Sequence, residues 1–170
     1  MDIPIGFKMI FFIAYLLFAL FLLLSAIHIY WGAGGQAWIG AALPVNRQNK
    51  RVLSPKPLHS FTLGAGFAGL AVLVLIKAGI LYFRIPCVLQ TYGLGGVALF
   101  FFARAVGDFK YAGLFKRIKN SRFGWYDTRI YTPLCLFIGC LIIILEWQLR
   151  ETMQAGACPA AGYPCIDYPD

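Results

Sequence analysis

Charge is what this sequence has least of. Only 13% of its 170 residues are Asp, Glu, Lys or Arg, where soluble domains carry about a quarter. Acidic residues number seven and histidines two. That scarcity thins out the enzyme classes the chain could belong to. There is no Ser–His–Asp order, no Gly-x-Ser-x-Gly elbow and no paired-carboxylate arrangement, so the common hydrolase signatures are missing. His28 and His59 come without a Cys or acidic ligand motif, too few donors for a zinc site and no matched pair for haem. No metal and no cofactor is therefore expected. Gly34-Gly35 has no strand before it and no Gly-Lys-Ser/Thr after it, which removes the phosphate-loop reading. No internal repeat is visible.

What fills the space is apolar. Hydrophobic residues make up 60% of the chain and aromatics 16%, and the mean hydropathy is +0.72. A soluble fold has nowhere to put this much apolar surface. The net charge of +8 suits either nucleic acid or anionic lipid. The hydrophobicity decides for membrane lipids and against nucleic acid, because basic loops beside apolar spans are the usual mark of membrane orientation.

Four stretches are long enough to cross. A spanning helix needs roughly 20 apolar residues, and residues 7–31, 61–83, 87–106 and 130–149 qualify. The first is longer than the apolar core of a signal peptide. It also ends in His28, Tyr30 and Trp31 rather than in a small-residue cleavage site, so it reads as a retained span. Small residues recur at helical spacing in the second (Gly64 and Ala68, Ala65 and Gly69), which lets a neighbouring backbone come close. Arg84-Ile85-Pro86 is expected to form a tight turn, with Pro86 in the first turn of the third span. In that span Gln90, Val97, Phe101, Arg104 and Asp108 share a face by three-or-four spacing, which is expected to look into the bundle. The fold expected is all-α: an antiparallel bundle of four transmembrane helices over residues 1–150, with a Pro/Gly/Ala-rich tail over 151–170.

Orientation follows from the cations. The loops after the first and third spans hold ten Lys and Arg, four (Arg47, Lys50, Arg51, Lys56) and six (Lys110, Lys116, Arg117, Lys119, Arg122, Arg129); the other side has three, Lys8, Arg84 and Arg150. The basic loops are thus expected in the cytoplasm and both termini outside the cell membrane. A disulfide between Cys158 and Cys165 in the tail agrees with that compartment, with Cys87 as the other thiol within the tail's reach. Cys135 and Cys140 lie on different faces of one helix and read as small packing residues.

Two clusters of polar residues result. At the cytoplasmic ends of the spans, topology gathers His28 and Trp31 from the first, Arg104 and Asp108 from the third, and Asp127, Arg129 and Tyr131 at the start of the fourth; Tyr111 and Lys116 come from the connection. A charge within a span costs about 2.5–3.5 kcal/mol on insertion scales and usually faces a partner or cavity. The bland account pairs Arg104 with Asp108 one turn on. The functional account is a pocket for a lipid headgroup or small amphiphile, in which Arg104 grips phosphate or carboxylate and His28 donates or moves a proton. The second cluster is Lys77, Gln90 and Glu146 near the opposite ends of the spans. There Lys77 and Glu146 neutralise each other, or serve a small proton-coupled carrier.

The segments HIYWGAGG, RAVGDFKYAGLFKR and SRFGWYDTRIYTPLC resemble a bacterial membrane family catalogued as domain of unknown function 3995. The likeness extends over nearly the whole chain apart from the tail. His28, Trp31, Gly35, Arg104, Gly107, Asp108, Tyr111, Gly113, Lys116, Phe123, Asp127, Tyr131 and Pro133 carry it, with Ser121 where the pattern has Thr. The resemblance implies four spans in a bacterial inner membrane and brings no activity with it. Three readings stand: a protein binding an inner-leaflet headgroup or amphiphile, a small proton-coupled carrier centred on Lys77 and Glu146, and a non-enzymatic subunit that docks a protein partner or a second copy. Lipid-directed catalysis by His28 and Asp108 is compatible with the spacing and not required by it.

Overall fold

The computed structural model describes residues 5–38, 56–107 and 122–154. All their regular structure is helical. Helix α1 is Ile5–Gly32, α2 is Pro57–Lys77 and α3 is Cys87–Val106. A short helix α4, Arg122–Tyr126, runs through a π-helical turn, Asp127–Tyr131, into α5, Thr132–Gln154. Among the described residues four helical stretches are long and apolar enough to cross a membrane: Gly6–Gly32, Pro57–Lys77, Cys87–Val106 and Phe123–Thr152. Successive stretches alternate in direction, giving an antiparallel bundle. We call the end where α1 and α3 finish and α2 and α4 begin the loop end. The opposite end, which holds the 78–86 connection, is the hairpin end.

One pattern builds the core in every helix. Buried positions step by four, three and four: Ile10, Ala14, Leu17 and Phe21 in α1, Leu94, Ala98, Phe101 and Ala105 in α3, Ile138, Ile142, Leu145 and Leu149 in α5. Ala71, Val74 and Ala78 continue it from α2. An average step of about 3.7, close to the 3.6 residues of a helical turn, keeps a stripe facing its neighbour along the helix. Large apolar side chains such as Phe12, Leu23, Phe83 and Leu99 stay on the outside. In hydrocarbon that exposure carries no penalty, so close packing rather than escape from water must hold the helices together. The main partnerships are α1 with α2 and α3 with α5, joined across by α1 against α5; α2 and α3 touch little.

Small residues make the α1–α2 contact close. A Cβ on Gly64 would sit 2.7 Å from Ile29 Cγ1 and 3.2 Å from the Ser25 carbonyl. The Ser25 hydroxyl uses this proximity to donate to the Gly64 carbonyl at 2.8 Å. Gly69 has open space around it instead, so only part of the small-residue pattern serves packing.

The spans differ from expectation at their ends. α2 starts at Pro57, whose fixed φ and missing N–H suit a first turn, and stops at Lys77 rather than continuing to Phe83. Gly79 has φ +71°, and the N–H groups of Gly79 and Ile80 bond back to the carbonyls of Ile76 and Leu75 at 3.0 and 2.9 Å. That is a glycine-terminated Schellman ending. The reversal therefore falls at 78–81, ahead of Arg84-Ile85-Pro86, and Pro86 stands just before α3 as its cap. The fourth span also begins earlier than residue 130. Helix is already present from Arg122, because a π-helical turn carries the chain into α5. Proline inside a helix lacks an N–H and crowds the carbonyl four residues back. Here that proline is Pro133, and the wider π-helical turn lies immediately before it.

The inward stripe of α3 is Leu94, Ala98, Phe101 and Ala105, while Gln90, Val97 and Arg104 are half-buried at its margin. The buried stripe thus falls one position beyond Val97 and Arg104, at Ala98 and Ala105, and coincides with the expected face at Phe101; Asp108 lies outside the described residues.

Candidate functional site

The loop-end cluster centres on an ion pair between helices. Arg104, in the last turn of α3, donates from Nη2 to Asp127 Oδ1 at 3.1 Å. Asp127 is wholly buried, whereas the Arg104 side chain keeps 33% of its surface exposed. The Thr132 hydroxyl lies 3.4 Å from Asp127 Oδ2, and the Thr132 backbone N–H bonds to the Asp127 carbonyl, five residues back. The π-helical turn therefore ties Asp127 to Thr132 twice. Such turns widen the helix locally and recur at functional sites. The second guanidinium nitrogen, Arg104 Nη1, is buried and has no hydrogen-bond partner among the described residues. Asp127 is the partner of Arg104 among the described residues; Asp108, the neighbour one turn along, lies outside them.

His28 and Trp31 occupy the end of α1. His28 Nδ1 is 2.8 Å from the Leu24 carbonyl. A carbonyl only accepts, so Nδ1 carries the proton and a neutral ring has its lone pair on Nε2. The His28 ring lies 5.3 Å from Trp31 and 5.1 Å from Phe67, and the row continues through Phe67–Phe21 at 6.3 Å and Phe21–Phe101 at 5.9 Å. Three helices are thereby linked by aromatic contact, with Arg104 one turn beyond Phe101. Among the described interactions His28 makes no direct contact with the ion pair. The Trp31 Nε1–H donates to the Ala37 carbonyl at 2.9 Å, folding the chain after α1 back on itself.

Of the other expected site residues, Arg129 is exposed and stacks its guanidinium over Trp125, 4.6 Å from the ring centre. Tyr131 is half-buried against Phe123, with ring centres 6.2 Å apart. Tyr111 and Lys116 lie outside the described residues, as do Cys158 and Cys165. Cys135 and Cys140 are free thiols. No cluster of three or more metal-ligating side chains occurs among the described residues.

The hairpin-end cluster draws on three helices. Lys77 Nζ, from α2, is 2.7 Å from Glu146 Oε1 of α5, with the two side chains only 8% and 12% exposed. Lys77 also donates to the Gln90 carbonyl of α3. Arg150, one turn after Glu146, approaches its Oε2 at 4.0 Å.

Fold and clusters together define a polytopic helical bundle of membrane-spanning proportions, with one buried or half-buried ion pair between helices at each end. The chain belongs to the family described as Protein of unknown function (DUF3995), whose model matches residues 21–142. No curated protein and no solved structure matches it. The match starts inside α1 and ends inside α5, so it leaves out the last turns of α5 as well as the tail. Lys77, Gln90, Arg104 and Asp127 fall within it; Glu146 and Arg150 do not.

Thr132 was the functional-looking residue that sequence reasoning passed over. The signal for it was Pro133, a helix-disrupting residue placed where the polar Asp127–Thr132 segment enters the apolar run.

Proposed function

We propose that this is a multi-pass membrane protein whose loop-end cluster binds an anionic headgroup or small amphiphile through Arg104. One observation carries the reading: a guanidinium with one nitrogen held by Asp127 and the other, Nη1, buried without an acceptor. A buried donor left unpaired costs about 1–3 kcal/mol, and more when charged. A phosphate or carboxylate oxygen would relieve that cost, and the planar fork of arginine suits it. Asp127 then acts as the counter-charge that holds Arg104 in place when the site is empty. His28 and the cationic Lys116 and Arg129 complete the expected site, together with Trp31, Asp108, Tyr111 and Tyr131. The excess of cations in the loops supports a cytoplasmic, inner-leaflet position for this end in a bacterial inner membrane, with both termini outside and Cys158–Cys165 oxidised there.

Arg104→Lys tests the reading. Lysine keeps the charge facing Asp127 but loses the second arm of the fork. Purified in mild detergent and examined by native mass spectrometry, the wild type should retain anionic lipid that Arg104→Lys loses, at an unchanged melting temperature. Equal lipid content in the two proteins would refute it.

A carrier reading has one observation in its favour: Lys77 and Glu146 are both nearly buried within the helical layer, where charge is rare and commonly functional. Uptake into vesicles that Glu146→Gln abolishes would favour it over headgroup binding.

A further inference from the structure

The hairpin end has a feature that the loop-end reading does not use. Between α3 and α5 a groove of about 430 Å³ opens toward the outside of the bundle, within the size range of small-molecule sites. Its floor is bare backbone. A Cβ placed on Gly95 or on Gly96 would meet no atom within 4 Å, while Leu99 and Ile143 extend the lining as apolar wall. Its rim is aromatic and charged: Tyr92, Trp147, Glu146 and Arg150. Tyr and Trp favour the level where hydrocarbon meets headgroups.

Charge decides the occupant. Within the groove Glu146 is already neutralised from behind by Lys77 at 2.7 Å. Arg150 stands only 4.0 Å from Glu146 Oε2 and its side chain is 71% exposed, so its guanidinium is the charge the groove has in excess. The Glu151 carboxylate does not line the groove and accepts from the Trp147 indole N–H at 2.6 Å. We infer that this groove is a binding site for an anionic glycerophospholipid, one acyl chain lying along Gly95 and Gly96 and the phosphate on Arg150. The site lies at the opposite end of the bundle from Arg104 and is independent of the loop-end proposal.

Native mass spectrometry of the full chain in neutral detergent, titrated with dioleoyl phosphatidylglycerol or dioleoyl phosphatidylcholine, tests it. The experiment is run in the Arg104→Lys background so that any loop-end site is silent. Phosphatidylglycerol should still bind, about tenfold tighter than phosphatidylcholine, because the choline ammonium of the latter offsets its phosphate and brings a like charge to Arg150. Gly96→Leu starts from a Cβ that meets no atom within 4 Å, fills the floor and should abolish that binding. Arg150→Gln, at an exposed position that does not threaten the fold, should bring the two lipids to equal affinity. Undiminished phosphatidylglycerol binding by Gly96→Leu, equal affinity for the two lipids before Arg150 is changed, or no binding at all in the Arg104→Lys background would each overturn the groove proposal.

Discussion

Each end of the bundle joins a cation to a carboxylate on another helix, and the two ends meet the cost of those charges differently. At the hairpin end both partners are nearly buried and the cation has a second acceptor, the Gln90 carbonyl. Lys77 there links α2 to α3 and α5, although α2 and α3 otherwise touch little. At the loop end the carboxylate is fully buried while the guanidinium is one-third exposed and has a donor to spare. The first arrangement is a clamp. The second is a holder with one arm unengaged, which is what a ligand site needs and a clamp does not.

The largest effect should come from breaking the clamp. Glu146→Leu leaves Lys77 buried with only a carbonyl, a loss of about 3–5 kcal/mol by the usual cost of orphaning one buried ion. Lys77→Met should cost less, because Arg150 already stands 4.0 Å from Glu146. The double replacement should recover most of the stability, since well-packed apolar side chains often replace a buried pair without loss. Unfolding in detergent, read as a double-mutant cycle, measures all three. Additive losses would remove the clamp from the comparison.

A smaller effect separates packing from charge at the loop end. Gly64→Ala forces a methyl to within 2.7 Å of Ile29 Cγ1, and overpacking of this kind costs about 1–3 kcal/mol. Gly66→Ala, two residues on, meets nothing within 4 Å. It should stabilise the helix by about 0.5–1 kcal/mol through the backbone entropy that glycine forfeits. Melting midpoints that move in the same direction for both variants would show that close approach of α1 and α2 is not what Gly64 provides.

Much of this was legible in the sequence because membrane spans are written in composition. Four apolar runs, the Lys77–Gln90–Glu146 grouping and the gathering of Arg104 with Asp127 all follow from counting turns inward from the ends of the spans. What counting does not supply is that Arg104 meets Asp127 across helices. Asp108 is one turn away along the chain and Asp127 is brought up by tertiary packing, so local spacing favours the former. The end of α2 was hidden for a related reason: Gly79 sits inside an apolar run, and hydropathy continues past a reversal that φ at one glycine dictates. The α3 stripe differs from the polar residues chosen to mark it because Leu94, Ala98 and Ala105, which are ordinary apolar residues, take the buried positions.

The smallest effect tests what keeps Asp127 aimed at Arg104. Two links cross the π-helical turn: the Thr132 hydroxyl at 3.4 Å from Asp127 Oδ2, and the Thr132 N–H on the Asp127 carbonyl. A hydrogen bond contributes about 0.5–1.5 kcal/mol net, and one this long belongs at the low end. Thr132→Val removes the hydroxyl, preserves shape and leaves the backbone link. It should therefore lower stability by about 0.5 kcal/mol, with amide exchange at residues 127–132 unchanged. Pro133, by crowding the carbonyl four residues before it, favours the wide turn whether or not the hydroxyl is there. Faster exchange confined to 127–132 in Thr132→Val would mean that the hydroxyl holds the turn open. In that case the loop-end pair, like the hairpin-end pair, would depend on a side-chain clamp, and the contrast between the two ends would narrow to the spare donor on Arg104.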